Sequence, residues 1–216
     1  MNALPEPASS SRTEQKRRAI LAEATTLFLR NGYRGTSMDE VASAAAVSKQ
    51  TVYKQFTDKE GLFREIIAGV AQNADAIVET IRSAFGAVRA ATREELETGL
   101  ASVARAYLDA VLEPQVLSLR RLIIAEAEQF PDLAESYFRA APSRGIDTTA
   151  ACLAPYVESG ILVVTDVQLA AAHFAYLALA VAQDRALFLP SRLPGAKERK
   201  RLATAAARAF IAAYAA

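Results

Sequence analysis

The chain of 216 residues has one cysteine, one histidine and no tryptophan, and each scarcity removes a class of chemistry. Cys152 alone cannot form an internal disulfide, a Cys-based zinc site or a C-x-x-C redox pair. It reads as a small buried apolar residue, and its solitude suits a reducing, cytoplasmic location. Any Ser-His-Asp arrangement would have to be built on His173, which sits mid-helix among Ala172, Phe174 and Tyr176. With 9 glycines and 8 prolines the chain is too poor in turn formers for an all-β fold. There is no glycine-rich phosphate loop, no nucleophile motif, no cluster of metal ligands and no fixed-period repeat. No cofactor or metal is therefore expected, and an all-helical enzyme is the remote alternative. Net charge is only +1, so the balance of the whole chain makes no case for a nucleic-acid partner. The first eleven residues lack the apolar core of a signal peptide; Pro5, Pro7 and Ser9-Ser10-Ser11 read as a disordered arm over residues 1–11. Val167 to Gln183 carries no Asp, Glu, Lys or Arg, but it falls short of the ~18 to 20 apolar residues a bilayer demands. Rich in alanine and interrupted by Gln168 and His173, it reads as a buried helix, not a membrane span.

What remains is a succession of helices separated by short breaks. Ile20, Ala24, Leu27 and Phe28 recur at helical spacing, which predicts a helix from Thr13 to a stop at Asn31-Gly32. Ser37 and Glu40 form a capping box for a short helix from Met38, and Ser48 caps a third reaching about Phe56. Thr57 and Glu60 form a second box opening a long helix through about Phe85. Thr92 and Glu95 open the next. Pro114 and Pro131 suit first turns, with the Pro114 helix running to about Phe130 and Pro142 beginning a further one to Ser159-Gly160. Thr165 and Gln168 cap a helix to about Phe188, and Ala196 to Tyr214 is the last. Ile161 to Val164 is the only β-leaning run.

The informative window is Thr36 to Phe63, TSMDEVASAAAVSKQTVYKQFTDKEGLF. Two short helices joined by a three- to four-residue turn have helix-turn-helix spacing. Val41, Ala42, Val47, Val52 and Phe56 are placed to pack them together, leaving Lys49, Gln50, Thr51, Tyr53 and Lys54 to point outward. Lys and Gln address guanine or adenine edges, a Thr methyl meets thymine, and Tyr or Lys holds phosphate. Upstream, Arg12, Lys16, Arg17 and Arg18 cluster within two turns; such a cluster informs only if it lies beside a DNA-reading motif.

In this order, Asn31-Gly32-Tyr33-Arg34-Gly35-Thr36-Ser37, Val47 to Phe56 and Asp58-Lys59-Glu60-Gly61-Leu62 resemble the DNA-binding domain of TetR-family regulators over roughly residues 13 to 65. The resemblance implies an all-α protein with a three-helix helix-turn-helix domain at 12–58 and a C-terminal helical ligand and dimerisation domain at 59–216. It makes Lys49, Gln50 and Thr51 the base-edge readers and Tyr53, Lys54, Thr36 and Lys59 the phosphate contacts, with Ser48 completing the set. Many relatives place glycine where this chain has Ala46; if the turn needs a positive φ there, alanine costs on the order of 1 kcal/mol. Further on, Leu119 to Pro131 is similar to the corresponding segment of AefR-like members.

The resemblance further implies a homodimer on a palindromic double-stranded operator, released by a small molecule. Ala170, Ala171, Ala175, Ala178 and Ala182, then Ala203, Ala206, Ala209 and Ala213, form small-residue stripes that let helices approach closely. Such stripes are buried internally or against a second copy. The resemblance favours the second, with Ala171, Ala175, Ala178, Ala182, Ala206, Ala209 and Ala213 at a two-fold interface. The C-terminal helices offer aromatic and apolar side chains but few charges, so a ligand would be small and largely apolar. Tyr107, Arg121, Phe130, His173 and Phe174 are the candidate contacts, each of them equally readable as core or as a helix-stabilising group. The alternative is a helix-turn-helix protein with no small-molecule inducer, architectural or protein-regulated.

Overall fold

A computed structural model describes residues 8–216. Its elements are α1 (Ala8–Asn31), α2 (Met38–Ala44), α3 (Lys49–Phe56), α4 (Lys59–Gly86), α5 (Arg93–Val111), α6 (Pro114–Ala125) and α7 (Pro131–Phe138). A π-helical turn (Arg139–Ser143) follows, then α8 (Arg144–Glu158), α9 (Val167–Phe188) and α10 (Ala196–Tyr214). The all-α class expected from the sequence is the class observed. Residues 1–7 of the expected arm lie outside the described residues, whereas Ala8–Ser11 are already the first turn of α1.

These helices group into two compact units. One comprises the described residues through Val70 together with Leu122–Leu133; the other comprises Ala71–Arg121 and Ala134–Ala216. The first unit therefore extends beyond residue 58 and takes in a segment that the sequence assigned to the C-terminal domain.

In the first unit, Ile20, Ala24, Leu27 and Phe28 of α1 are buried, as their spacing predicted, and so are Val41, Ala42, Val52 and Phe56 of the two short helices. Gly32, at φ 75°, ends α1 in the left-handed conformation that glycine adopts without strain. The Ser37–Glu40 box forms in both directions, and Ser48 accepts from the Thr51 amide. Ala46 carries a positive φ of 52°, as does Thr57 at 59°. The second value explains why the Thr57–Glu60 box is absent: Thr57 is spent closing α3, and Asp58 caps α4 by accepting from the Gly61 amide at 2.7 Å. Gly61 tolerates no larger residue, since a Cβ there would lie 2.7 Å from the Phe56 carbonyl oxygen.

The second unit is built on α5, α9 and α10, with α10 packed on both others and α9 also against α8. The Thr92–Glu95 box forms as expected. Asp166 caps α9 by accepting from the Leu169 amide, displacing the expected Thr165 by one residue. α6 stops at Ala125, short of Phe130. Pro142 sits inside the π turn and opens no helix; without an N–H it cannot make the regular i→i−4 bond, and a widened turn accommodates it. Ile161–Val164 contributes a single antiparallel bridge, Leu162 to Ala215, with the Val163 amide donating to the Tyr214 carbonyl at 2.8 Å. Among the described residues no helix is long and apolar enough to cross a membrane.

The alanine stripes largely serve this core. Ala171, Ala175, Ala178, Ala182 and Ala206 are at most 4% exposed, covered by the chain's own helices, while Ala209 and Ala213 are exposed. Small side chains let α9 and α10 approach each other and α5 closely, which is an intrachain use of the pattern.

Candidate nucleic-acid interface

α3 owes its position to its buried face. Val52 and Phe56 are fully sequestered, and the Arg17 guanidinium lies 4.6 Å from the centroid of the Phe56 ring. Arg17 also donates to the Gln55 carbonyl at 3.2 Å and pairs with Glu65, fastening α1 to the last turn of α3 and to α4. One member of the basic N-terminal cluster is thus a scaffold cation, and a second, Arg18, is paired along α1 with Glu14.

The eight sequence-predicted DNA contacts separate into three groups. Gln50, Tyr53 and Lys54 are exposed, with Tyr53 at 49%. Ser48, Lys49 and Thr51 lie on the same turn of α3 but already have partners. The Ser48 and Thr51 hydroxyls share a hydrogen bond of 2.8 Å, and the Lys49 ammonium donates to Asp39 Oδ2 at 2.5 Å. Thr36 and Lys59 belong elsewhere. Thr36 is 2% exposed and its hydroxyl donates to the Gly32 carbonyl, so it closes the loop after α1 and presents nothing to phosphate. The half-buried Lys59 donates to the Tyr33 and Thr36 carbonyls, each at 3.0 Å, and its ammonium lies 4.4 Å from the Tyr33 ring centroid. Two of its three donors are therefore committed to orienting the Tyr33–Thr36 loop.

Behind that loop stands an aromatic cluster. Phe63 of α4 packs edge-on against Phe28 at 5.2 Å between centroids and tilted against Tyr33 at 5.0 Å. Phe130, from the Leu122–Leu133 segment, closes it at 4.9 Å from Tyr33 and 5.4 Å from Phe63. Beside it Arg64 pairs with Asp132 and with Glu60, holding the Asp132 carboxyl below its ordinary value through that hydrogen bond. Burial, and then the carboxylates of Glu60, Asp58 and Glu126, push the Tyr33 hydroxyl upward. Phe130 was expected to contact ligand in the C-terminal domain; here it is only 3% exposed and is used up in the first unit.

The remaining expected ligand contacts are each occupied by the chain's own groups. Phe174 is fully buried, edge-on to Phe210 at 5.3 Å. Arg121 donates to the Ala186 carbonyl at 3.2 Å and to the Ser118 hydroxyl at 2.9 Å. Exposed His173 pairs through Nδ1 with the Tyr214 hydroxyl. Tyr107 is buried with its hydroxyl on the backbone of Gly145, where a Cβ would come within 2.6 Å, and burial pushes its pKa up to about 12. The second unit also holds a solvent-open groove of about 500 Å³ whose lining includes Val88, Arg89, Glu94, Glu95, Thr98 and Ser102; none of the five expected residues lines it.

Comparison with known proteins agrees with this geometry. Residues 20–66 match the family described as bacterial regulatory proteins, tetR family, and residues 98–216 match the AefR-like transcriptional repressor, C-terminal domain. A solved TetR-family transcriptional regulator from Mesorhizobium loti MAFF303099 is 35% identical, covers 95% of this chain and 99% of its own, and superposes with a TM-score of 0.81. The solved Flavonoid-responsive Regulator FrrA is 26% identical over 94% of this chain and 98% of its own, with a TM-score of 0.63. Among curated proteins, the HTH-type transcriptional repressor ComR of Escherichia coli K12 is 41% identical over 51 residues, which is 24% of either chain. The first curated relatives are thus matched over about a quarter to a third of their own length.

Proposed function

Because this chain belongs to the TetR family of helix-turn-helix transcriptional regulators, we propose that it acts as a homodimeric repressor released from a palindromic operator by a small molecule. The observation that carries the reading is the face of α3 bearing Lys49, Gln50, Tyr53 and Lys54, all exposed, opposite a buried Val52 and Phe56. That face combines donors for base edges with cations and a phenol for phosphate, on a helix capped and fastened at both ends.

A second copy would cover the outer face of α9. Leu169, Tyr176, Leu177, Val181 and Phe188 are 43–83% exposed and share one side of the helix, as their spacing requires. Ala209 and Ala213 of α10 are exposed as well and are small enough to admit a close approach. Dimerisation would set two recognition helices about one DNA turn, roughly 34 Å, apart.

Ligand response is supported by the match to an AefR-like repressor domain and by likeness to a regulator described as flavonoid-responsive. A small, largely apolar molecule would act by preferring the conformer that fits the operator poorly. Duplexes selected by the chain from a random library supply an operator, and flavonoids are the first ligand probes. Operator should weaken flavonoid binding by the same factor, typically 5- to 150-fold, by which flavonoid weakens operator binding. A compound that raises the melting temperature yet binds equally with and without operator is no inducer. The second reading, a regulator without a small-molecule inducer, is favoured by the full burial of Phe174 and the commitment of Arg121 to Ala186 and Ser118. It predicts no such reciprocal effect from any compound. Light scattering decides the dimer: a monomer at tens of micromolar would remove both the dimer and the palindrome.

A further inference from the structure

We propose that Asp39 is a specificity-determining residue which, acting jointly with Lys49, makes this chain select a G·C pair under the first turn of its recognition helix. The inference rests on α3 being the DNA-reading helix, as proposed above.

Asp39 and Lys49 are ten positions apart and belong to different helices, so their contact is no routine pairing along one helix face. Asp39 stands in the first turn of α2 and Lys49 in the first turn of α3, and their charged atoms meet at 2.5 Å. Both side chains remain more than half exposed. Asp39 is not needed to cap α2, because that role is filled by Ser37 and Glu40 acting on each other's backbone amides. The Asp39 carboxylate is thus free of the capping role and stands at the ammonium of Lys49.

Two consequences follow from charge and hydrogen-bond capacity. A carboxylate beside Lys49 cancels the ammonium as a general phosphate anchor, so the pair contributes little to sequence-independent affinity. The pair also retains capacity to recognise a base pair. The ammonium has donors to spare beyond the one given to Asp39, and the carboxylate can accept further hydrogen bonds. Side by side they present donors next to an acceptor. The major-groove edge of a G·C pair reads acceptor, acceptor, donor: guanine N7 and O6, then the cytosine N4 amino group. Lys49 matches the two guanine acceptors and Asp39 the cytosine amino group. An A·T pair reads acceptor, donor, acceptor, so thymine O4 would face the carboxylate and be repelled. A lysine alone would penalise the exchange much less, since it can donate to acceptors on either pair. Discrimination at this step therefore depends on Asp39.

The test uses the full-length chain, Asp39→Ala, Asp39→Asn and Lys49→Ala, each checked by circular dichroism. Selection from a random duplex library with the wild type should return a G·C pair at one equivalent position in each half-site. Exchanging that pair for A·T should cost wild type on the order of tenfold in affinity. For Asp39→Ala the penalty should fall to about twofold or less. Its binding to a scrambled duplex should tighten several-fold and its salt slope steepen by about one unit, because Lys49 is freed for phosphate. Asp39→Asn should tighten scrambled binding in the same way, and its amide should shift the preference at that position toward adenine. If the Asp39 variants select the same bases with the same exchange penalty as wild type, Asp39 is only a surface ion pair and the proposal is overturned. It is equally overturned if affinity rises while base preference stays unchanged. Wild type that enriches no sequence from the library overturns the DNA-reading assignment of α3 itself, a result distinguishable from either.

Discussion

In the first unit, rings and long cations hold the helices: Tyr33, Phe63 and Phe130 form one cluster, Lys59 bonds two loop carbonyls, and Arg17 clamps the end of α3. The second unit closes α9 and α10 on alanine, with Ala170, Ala171, Ala178, Ala182, Ala203 and Ala207 buried between larger neighbours. The difference concerns tolerance. A small helical unit needs far-reaching contacts, each of which carries a large share of its stability. A helical core packed on methyl groups spreads the load over many contacts and has no room for additions.

The largest way to break the contrast is Phe130→Ala. Removing a buried ring should cost about 3–5 kcal/mol, confined to the first unit. Hydrogen exchange followed by segment should show protection lost over α1–α3 and retained in α5, α9 and α10. Equal loss in both units would mean that they are not separately stabilised. Next comes Ala178→Leu, which inserts methylenes where the alanine is 2% exposed. Overpacking should cost about 1–3 kcal/mol in urea denaturation; a neutral result would show slack between α9 and its neighbours. Ala46→Gly should act in the opposite direction, raising stability by up to about 1 kcal/mol, because φ at Ala46 is 52°. A loss of stability would mean that the turn adopts another conformation in solution.

The smallest effect is pH-dependent. Hydrogen bonds from the Ser37 hydroxyl and then from its amide hold the Glu40 carboxyl below its ordinary value of 4.5. A depressed folded-state pKa contributes stability that is fully present above the unfolded value and is lost as pH falls through the folded one. The Ser37–Glu40 cap should therefore be intact at neutral pH and weaken on acidification below about 4.5. Acid melts of wild type and Glu40→Gln should converge there, and parallel curves would remove the capping role.

Features set by neighbouring residues were legible in the sequence. Ser37–Glu40 and Thr92–Glu95 span three residues and form as expected, and the buried stripe of α1 follows its period. The Asp58 and Asp166 caps were missed because an adjacent threonine satisfied a capping pattern almost as well, and only the backbone decides between them. Phe130 lies far along the chain from Tyr33 and Phe63, so no local period reports their contact. Lys59 donates to the Tyr33 and Thr36 carbonyls, partners 26 and 23 positions away that no local period reports. The alanine stripes were ambiguous in principle, since close approach within a chain and between chains calls for the same residues. Asp39 was passed over because an exposed aspartate in a first turn is expected for the helix dipole alone.

The placement of Phe130 also bears on how the protein is made. A ribosome adding about 5–20 residues per second releases α3 seconds before the ring that completes the cluster behind the Tyr33 loop. The first unit of a nascent chain therefore stays unfinished until all of the second unit's first segment, Ala71–Arg121, has been made. A product truncated before residue 122 would lack the Leu122–Leu133 part of the first unit, including Phe130 and Asp132. Such a fragment would carry the whole of α3 on a scaffold that lacks the ring closing the Tyr33–Phe63 cluster.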